Sequence, residues 1–367
     1  PHTQIKNYVN FMAKILNLIP DKRKFAKYIG INENRFYLSY RGKHTGKLRV
    51  SEFNKICFYL KINPLEYLPE QLEVTLSNGK WFNIPLYITP DFAYFLGLIA
   101  GDGCIVNTRQ GFISFTNNDI PNEYSSLVNK LFKKQSRIVN GNDDRGTSII
   151  IGGSILPSIL YDMGIRKRME GITIPNEIIS NQTLLSNFLS GVFDTDGGVF
   201  IHKRKEKKNT YSIEMYSIYE NFIDEVQILL LSLNIFSLKY SRENSISIKN
   251  GRNIISKKIW KLCIKNYDSI IRFSNLIGFN IKRKKEKLQQ IVNIIKNTNF
   301  KKNEYLTIKE IQRIESDCKY VYDLTINKKH SFIGNGINCH NTFAVEKDEV
   351  LQAWALKAGP MVLAHKG

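Results

Sequence analysis

The sequence predicts an α+β fold in which two tandem halves pack about a pseudo-twofold axis, preceded by a small helical module. Three observations carry the prediction. Two segments, Phe95-Leu-Gly-Leu-Ile-Ala-Gly-Asp102-Gly103 and Leu189-Ser-Gly-Val-Phe-Asp-Thr-Asp196-Gly197, read as apolar helices closed by Asp-Gly. Each is introduced by Ile-Pro, at Ile84-Pro85 and Ile174-Pro175, and each is followed by a hairpin and then a helix. The two aspartates stand 94 residues apart (196 − 102 = 94), and a unit of that size is a half-domain rather than a solenoid repeat.

Composition bounds the rest. At 367 residues the chain is long enough for two or three domains. A formal charge of +20 calls for a polyanionic partner, nucleic acid or an anionic membrane surface. No apolar run approaches the roughly 20 residues a membrane span needs, which favours nucleic acid and no membrane. Cys57, Cys104, Cys263, Cys318 and Cys339 are scattered and odd in number, against a disulfide framework or a zinc site and in keeping with a reducing cytoplasm. The chain begins at Pro1 without Met or a signal-like segment, so the reading is of a fragment or a processed piece.

Along the chain, residues 1–20 read as a remnant or linker and 21–70 as the helical module. Lys24 to Gly30 forms a first helix, Asn32 to Tyr40 a second opening on an Asn cap, and a third follows Ser51 with Phe53, Ile56, Cys57 and Leu60 as its apolar stripe. The arrangement resembles the helix-turn-helix of lambda-repressor-like domains, although helix, tight turn and helix is also ordinary packing. Arg35, Arg41, Lys43, Lys47 and Arg49 lie on or beside the second helix, where such modules read phosphates and base edges.

Residues 83–290 hold the repeat, with halves at about 83–168 and 172–290. Gly97 and Gly101 share one helix face, as do Gly191 and Thr195, so the two helices can approach until their backbones nearly touch. That approach brings Asp102 and Asp196 together. Adjacent carboxylates resist ionising as a pair unless a cation neutralises them, which points to a divalent metal. A single copy would read sooner as a capped helix end; two copies favour the metal. A pseudosymmetric pair of strand-bearing halves can straddle B-form DNA. The second hairpin's tip, His202-Lys-Arg-Lys-Glu-Lys-Lys208, fits a major groove or is a solvated loop. Arg109 in the first hairpin and Lys203, Arg204, Lys205, Lys207 and Lys208 in the second are the DNA-contact candidates.

These paired motifs, their spacing and the basic hairpins resemble a monomeric LAGLIDADG homing endonuclease with both halves in one chain. The resemblance implies an αββαββα pattern in each half and motif helices at the interface. It also implies Asp102 and Asp196 binding Mg2+ between two scissile phosphates, and staggered cleavage of double-stranded DNA. Two metal-bearing carboxylates suit magnesium, which keeps several waters and takes substrate phosphates as ligands. The family places a basic residue, usually lysine, near the water network of each half. Lys167 and Lys284 are the candidates, with solvated surface lysines as the alternative. A scaffold that binds DNA without cutting it is the rival reading; retention of both aspartates argues against it.

A second constellation stands at the C-terminal side. Val321-Tyr-Asp-Leu-Thr-Ile326, His330-Ser-Phe-Ile-Gly-Asn-Gly-Ile337 and Cys339-His340-Asn341-Thr342 resemble the C-terminal splicing blocks of an intein, which implies a β-rich partial Hint segment over 300–341. An asparagine side-chain amide can attack its own carbonyl and release the downstream segment, a slow reaction that neighbouring imidazoles accelerate. By the resemblance Asn341 cyclises, His340 and His330 assist, Asp323 supports them, and Thr342 is the nucleophile that accepts the upstream segment. No N-terminal Cys or Ser and no Thr-x-x-His block precedes the repeat. The expectation is therefore no splicing in cis, with cleavage at Asn341 or complementation by a separate N-terminal fragment. Residues 342–367 are similar to a stretch of archaeal minichromosome maintenance helicases, which implies a helicase extein.

Overall fold

The computed structural model describes residues 3–5, 15–40, 48–66, 68–76, 82–106, 111–116, 119, 121–141, 146–166, 171–204, 207–243, 245–249 and 252–298. It also describes strands at 331–334, 337–340, 343–347 and 354–358. The helical module consists of α1 (Lys22–Tyr28), α2 (Glu33–Tyr40) and α3 (Val50–Leu60). Asp21 starts α1 by accepting from the backbone N–H groups of Arg23 and Lys24, and Asn32 Oδ1 starts α2 by accepting from Arg35 N at 3.1 Å. Between them Gly30 adopts φ +67°, the left-handed turn that ends a helix most cheaply at glycine. Ala26, Ile29, Phe36, Phe53, Ile56 and Cys57 form a small core of their own.

Beside the module lies a four-stranded sheet in the order β2-β1-β3-β4, made of β1 (Thr3–Ile5), β2 (Leu48–Arg49), β3 (Gln71–Leu76) and β4 (Phe82–Pro85). Val74, Phe82 and Ile84 from this sheet enter the main core, which ties the module to the repeat.

The first half runs α4 (Pro90–Asp102), β5 (Cys104–Val106), β6 (Phe112–Thr116), α5 (Pro121–Phe132), β7 (Arg137–Val139), β8 (Ser148–Gly152) and α6 (Ile155–Asp162). The second opens with the short α7 (Asn176–Ser180). It then runs α8 (Gln182–Asp196), β9 (Gly197–Arg204), β10 (Lys207–Ser217), α9 (Glu220–Ser232), β11 (Leu238–Arg242), β14 (Ile259–Ile264) and α10 (Tyr267–Leu276), with the hairpin of β12 (Ser245–Lys249) and β13 (Arg252–Ser256) inserted before β14. The sheets have matching orders, β5-β6-β8-β7 and β9-β10-β14-β11. Their registers also correspond: Cys104, Ser114, Ile150 and Arg137 stand abreast in the first, and Gly198, Glu214, Cys263 and Leu238 in the second. The αββαββα repeat is thus present in both halves, and a further helix, α11 (Lys282–Lys296), follows the second.

Helix α4 is buried on every side from Phe92 to Gly101, as a helix between two layers must be. It lies against α8, with contacts that obey the repeat. A Cβ on Gly97 would fall 2.0 Å from the Phe188 carbonyl oxygen and 3.1 Å from Gly191 Cα. Reciprocally, a Cβ on Gly191 would fall 2.3 Å from the Tyr94 carbonyl oxygen and 2.8 Å from Leu98 N. A Cβ on Gly101 would meet Thr195 Oγ1 at 1.8 Å. The Gly97–Gly191 and Gly101–Thr195 pairs have the same spacing as the two aspartates (191 − 97 = 195 − 101 = 94).

Downstream, β15 (Ser331–Gly334) pairs with β16 (Ile337–His340), setting Ser331 opposite His340, and β17 (Phe343–Lys347) pairs with β18 (Trp354–Ala358). Gly97→Val is expected to cost about 3 kcal/mol, since backbone rather than a flexible side chain blocks the methyl groups. Gly152→Ala, with nothing within 4 Å, is expected to stay within about 0.5 kcal/mol of wild type. Urea unfolding midpoints check both; equal midpoints for the two variants would contradict the packing.

Candidate functional site

The two motif helices close at Asp-Gly without a left-handed glycine cap. Gly103 and Gly197 are extended, at φ −72° and −98°, and their N–H groups return to the carbonyls of Ile99 and Phe193. Glycine is required there by space, because a Cβ on Gly103 would sit 2.3 Å from Ile99 O and one on Gly197 2.6 Å from Phe193 Cδ1. The chain folds back so tightly that each aspartate is held at the lip of its helix. Asp102 is exposed and Asp196 half-buried, and each directly follows a member of the Gly101–Thr195 contact. Both stand where helix dipoles leave negative potential, which adds to the attraction for a cation. Among the described residues no group of three or more His, Cys, Asp or Glu side chains is placed to hold a metal ion. Two carboxylate donors fit a hard divalent ion that retains water and accepts phosphate oxygens, rather than zinc with four protein ligands.

Behind Asp196 lies a buried polar network. Asp194 is 1% exposed. It accepts from Tyr94 Oη at 2.8 Å, across the interface between the halves, and from the backbone N–H groups of Asn280 at 3.0 Å and Ile281 at 3.4 Å. Burial raises the Asp194 carboxyl above its ordinary range, against the pull of those donors. Asn280 also donates from Nδ2 to Ser190 Oγ at 3.1 Å. These bonds fix the start of α11, and α11 delivers Lys284. Its ammonium group donates to the carbonyls of Phe193 (3.3 Å), Asp194 (2.8 Å) and Gly197 (2.6 Å). Three protons meet three carbonyls at the C-terminal end of α8. Burial lowers the Lys284 pKa, while Asp194, Asp119 and Asp102 pull it back up. Arg283, next along, makes a two-pronged ion pair with Asp119 of the first half, at 3.2 and 3.0 Å.

The second sheet carries another polar cluster on the face opposite its core. Glu214 is 2% exposed. Ser212 Oγ donates to its Oε1 at 2.8 Å, Cys263 Sγ lies 3.5 Å from the same oxygen, and Tyr216 Oη donates to Oε2. His202 Nε2 stands 2.7 Å from Ser212 Oγ and 3.4 Å from Glu214 Oε1, and Lys261 Nζ 3.6 Å from Oε2. Burial alone would raise the Glu214 carboxyl, but the Tyr216 and Ser212 hydrogen bonds and the Lys261 charge hold it below the usual range.

Of the residues picked out from sequence, the structure brings Asp102, Asp196 and Lys284 to one place. Arg35 donates from Nη1 to Glu52 Oε1 at 3.0 Å within the helical module. Lys203 is exposed on β9. Arg204, Lys207, Lys208 and His340 lie on strands whose side chains are outside the described residues, as are Arg41, Lys43, Lys47, Arg109, Lys167, Lys205, Asp323, His330, Asn341 and Thr342. Asp194 and Glu214 escaped the sequence reading. For Asp194 a signal existed, since it stands three residues after Gly191 and so on the packed face of the helix.

Residues 183–278 match the family described as LAGLIDADG-like domain; they span α8 to α10. Over 366 residues the chain is 26% identical to glutamine–fructose-6-phosphate aminotransferase of Methanocaldococcus jannaschii, a match covering 81% of this chain and 31% of that protein. It is 31% identical over 207 residues to the probable translation initiation factor IF-2 of the same organism, covering 54% and 16%. It is 26% identical over 341 residues to ribonucleoside-diphosphate reductase NrdEB subunit alpha of Bacillus subtilis, covering 84% and 30%. The chain thus spans less than a third of the length of these relatives. Among solved structures it is similar to the homing endonuclease I-DmoI in complex with DNA and Ca, at 16% identity and TM-score 0.36, covering 55% of this chain and 97% of that one. It is also similar to the I-LtrWI LAGLIDADG homing endonuclease bound to target DNA, at 13% identity and TM-score 0.37, covering 57% and 92%. Among the described residues no helix is long and apolar enough to cross a membrane.

Glu214→Gln is expected to cost about 2 kcal/mol at pH 7, the scale of hydrogen bonds to a buried charge. The folded pKa lies below the unfolded value near 4.5, so the contribution is complete above that pH and is lost as pH falls through the folded value. Urea titrations from pH 7 to pH 3 should show wild type and variant converging on acidification; a gap independent of pH would contradict the assignment.

Proposed function

We propose that this chain is a site-specific, magnesium-dependent endonuclease that cuts double-stranded DNA as a monomer and is carried as an intein. The observation that carries the nuclease reading is the pair of motif helices in backbone contact, each ending in a carboxylate at the same edge. Two related sheets flank that edge, and the formal charge of +20 supplies the attraction to a polyanion. Asp102 and Asp196 are the residues that would hold the metal, one from each half. Bound magnesium supplies charge neutralisation at the scissile phosphate and a more acidic water. Lys284 acts from behind Asp196, holding the last carbonyls of α8 and setting a fixed positive charge near the carboxylates. Lys167 is its proposed counterpart in the first half.

The intein reading rests on the breadth of the relatives. Their names denote unrelated chemistries, yet each matches this chain over a small share of its own length, as an inserted element would. Pairing of β15 with β16, with Ser331 opposite His340, supports bringing the residues of the two splicing blocks side by side. In the proposed step the Asn341 side-chain nitrogen attacks the Asn341 backbone carbonyl carbon, closing a succinimide. The bond to Thr342 breaks, and the departing amine takes a proton that His340 and His330 help deliver, with Asp323 supporting them. Residues 342–367 would then be extein, read as part of a helicase.

Asp102→Asn and Asp196→Asn are each expected to abolish double-strand cleavage while leaving binding to the same duplex within about threefold, since removing an acid does not weaken attraction to phosphate. Gel assays with magnesium and filter binding check the two readouts; a double variant that still cuts overturns the metal assignment. Asn341→Ala is expected to abolish release of the segment that begins at Thr342. Mass spectrometry of purified wild type and variant reads that loss, and release that persists in Asn341→Ala rules out cyclisation.

A further inference from the structure

The two halves share a backbone plan but not a sheet surface. Where Ser114 stands on β6, β10 has Glu214, and where Ile150 stands on β8, β14 has Cys263. The buried carboxylate is therefore a feature of the second half alone, on a face that the proposed reading turns toward DNA. A negative charge beneath a surface meant for a polyanion is costly unless fully compensated. It is compensated: Ser212, Cys263 and His202 lie at Oε1, and Tyr216 and Lys261 at Oε2. With both oxygens engaged, Glu214 has no capacity left to contact a base. Its partners do. The side chains of His202 and Lys261 are 43% and 30% exposed, so each is held by Glu214 and still reaches the surface.

The array continues across the sheet. Lys261 Nζ lies 5.4 Å from the centre of the Tyr240 ring, Lys265 Nζ lies 4.9 Å from the same ring, and Lys265 donates to Tyr240 Oη at 3.4 Å. A recess of about 310 Å³ opens between His202, Thr210, Lys261 and Lys265, with Glu214 in its wall. A free lysine gives up side-chain entropy of about 2 kcal/mol when it is pinned against a base. Here much of that ordering precedes binding, so discrimination between bases is sharper than mobile lysines provide. Lys261 and Lys265 present ammonium donors at this recess, and the acceptor-rich edge in a major groove is guanine, with N7 and O6 side by side.

We propose that Glu214 is a positioning residue for sequence recognition, holding the Lys261 ammonium as a preorganised donor with which the second half reads guanine edges in its share of the target. The inference rests on the DNA-binding reading above. Its test is a binding selection by the full chain from a randomised duplex library, with a chelator present so that strands stay intact. Kd values for the selected duplex and its single-base variants are then measured at two salt concentrations.

Wild type is expected to prefer guanine at one or two adjacent positions on one side of the target. Glu214→Gln is expected to lower that preference about tenfold, the scale of one bidentate base contact, while preferences on the other side and the salt dependence stay as in wild type. Lys261→Met should relax the same positions, and the double variant should relax them no further, a non-additivity that a purely structural defect does not produce. Two outcomes overturn the inference: an unchanged preference profile in Glu214→Gln with its fold intact by circular dichroism, or a loss spread evenly over all positions with a shallower salt slope, as phosphate contacts would give. A wild type that selects no sequence at all overturns the DNA reading beneath it. If Glu214→Gln does not fold, Tyr216→Phe, which removes one donor and keeps the carboxylate, carries the comparison.

Discussion

The constraint on which the rest of this structure depends is that two helix backbones touch. Gly97 against Phe188 and Gly191, and Gly191 against Tyr94 and Leu98, leave no room for a side chain between α4 and α8. Two helices that close exclude every alternative register, because sliding either by a residue would drive a Cβ into backbone. The residue after the Gly101–Thr195 contact in each helix is an aspartate, so fixing the helices fixes the carboxylates. The core follows from the same contact. Phe92, Phe95 and Ile99 on one side and Phe188, Leu189 and Phe193 on the other belong to one continuous cluster, and neither half could bury its motif helix without the other. The symmetric unit is therefore a half of a domain.

Superposed on that symmetry is a lock that breaks it. Asp194 joins Tyr94 of the first half to the backbone that opens α11. The repeat places Ala100 opposite Asp194 and Phe188 opposite Tyr94, neither able to form such a bond. The Arg283–Asp119 ion pair is likewise one-sided. These interactions matter less for net stability than for uniqueness, since a buried carboxylate is costly to desolvate and tolerates few arrangements of its donors. What they secure is the placement of Lys284, whose ammonium depends on α11 being docked before it can reach the carbonyls of α8. A lysine that reads as surface in a run such as Lys282-Arg-Lys-Lys285 is thereby drawn into the interior, 8% exposed.

Much of this is legible in the sequence. Glycine spacing gave the helix contact, Asp-Gly gave the helix ends, and the first two helices of the N-terminal module fell within two residues of their expected bounds because the Asn32 cap and Gly30 are local signals. The β-sheet of the N-terminal region was not legible, since Thr3–Ile5 is only three residues long and pairs with Leu76 at the far side of a helical module. Gly103 and Gly197 are legible in the sequence only as helix terminators; that they turn back at negative φ with no room for a Cβ comes from the fold. Glu214 was invisible for a different reason. Between Ile213 and Met215 it looks like the solvent-facing residue of a half-buried strand, and only the neighbouring strands, which bring Cys263 beside it and Lys261 to its outer oxygen, turn that exposed position into a buried one.

The division between symmetric and asymmetric features has a physical sense. On the proposed reading, the two strands of a duplex offer the metal-bearing carboxylates the same phosphodiester chemistry, so equivalent halves should keep equivalent acids at equivalent distances from the axis, as Asp102 and Asp196 stand at matching ends of α4 and α8. Base sequences on either side of a cut have no such obligation. A scaffold free to vary its two sheet faces independently, while its helix contact permits no variation, reads an asymmetric sequence with a symmetric reaction centre. Ser114 in one half and Glu214 in the other are that freedom expressed at a single register position.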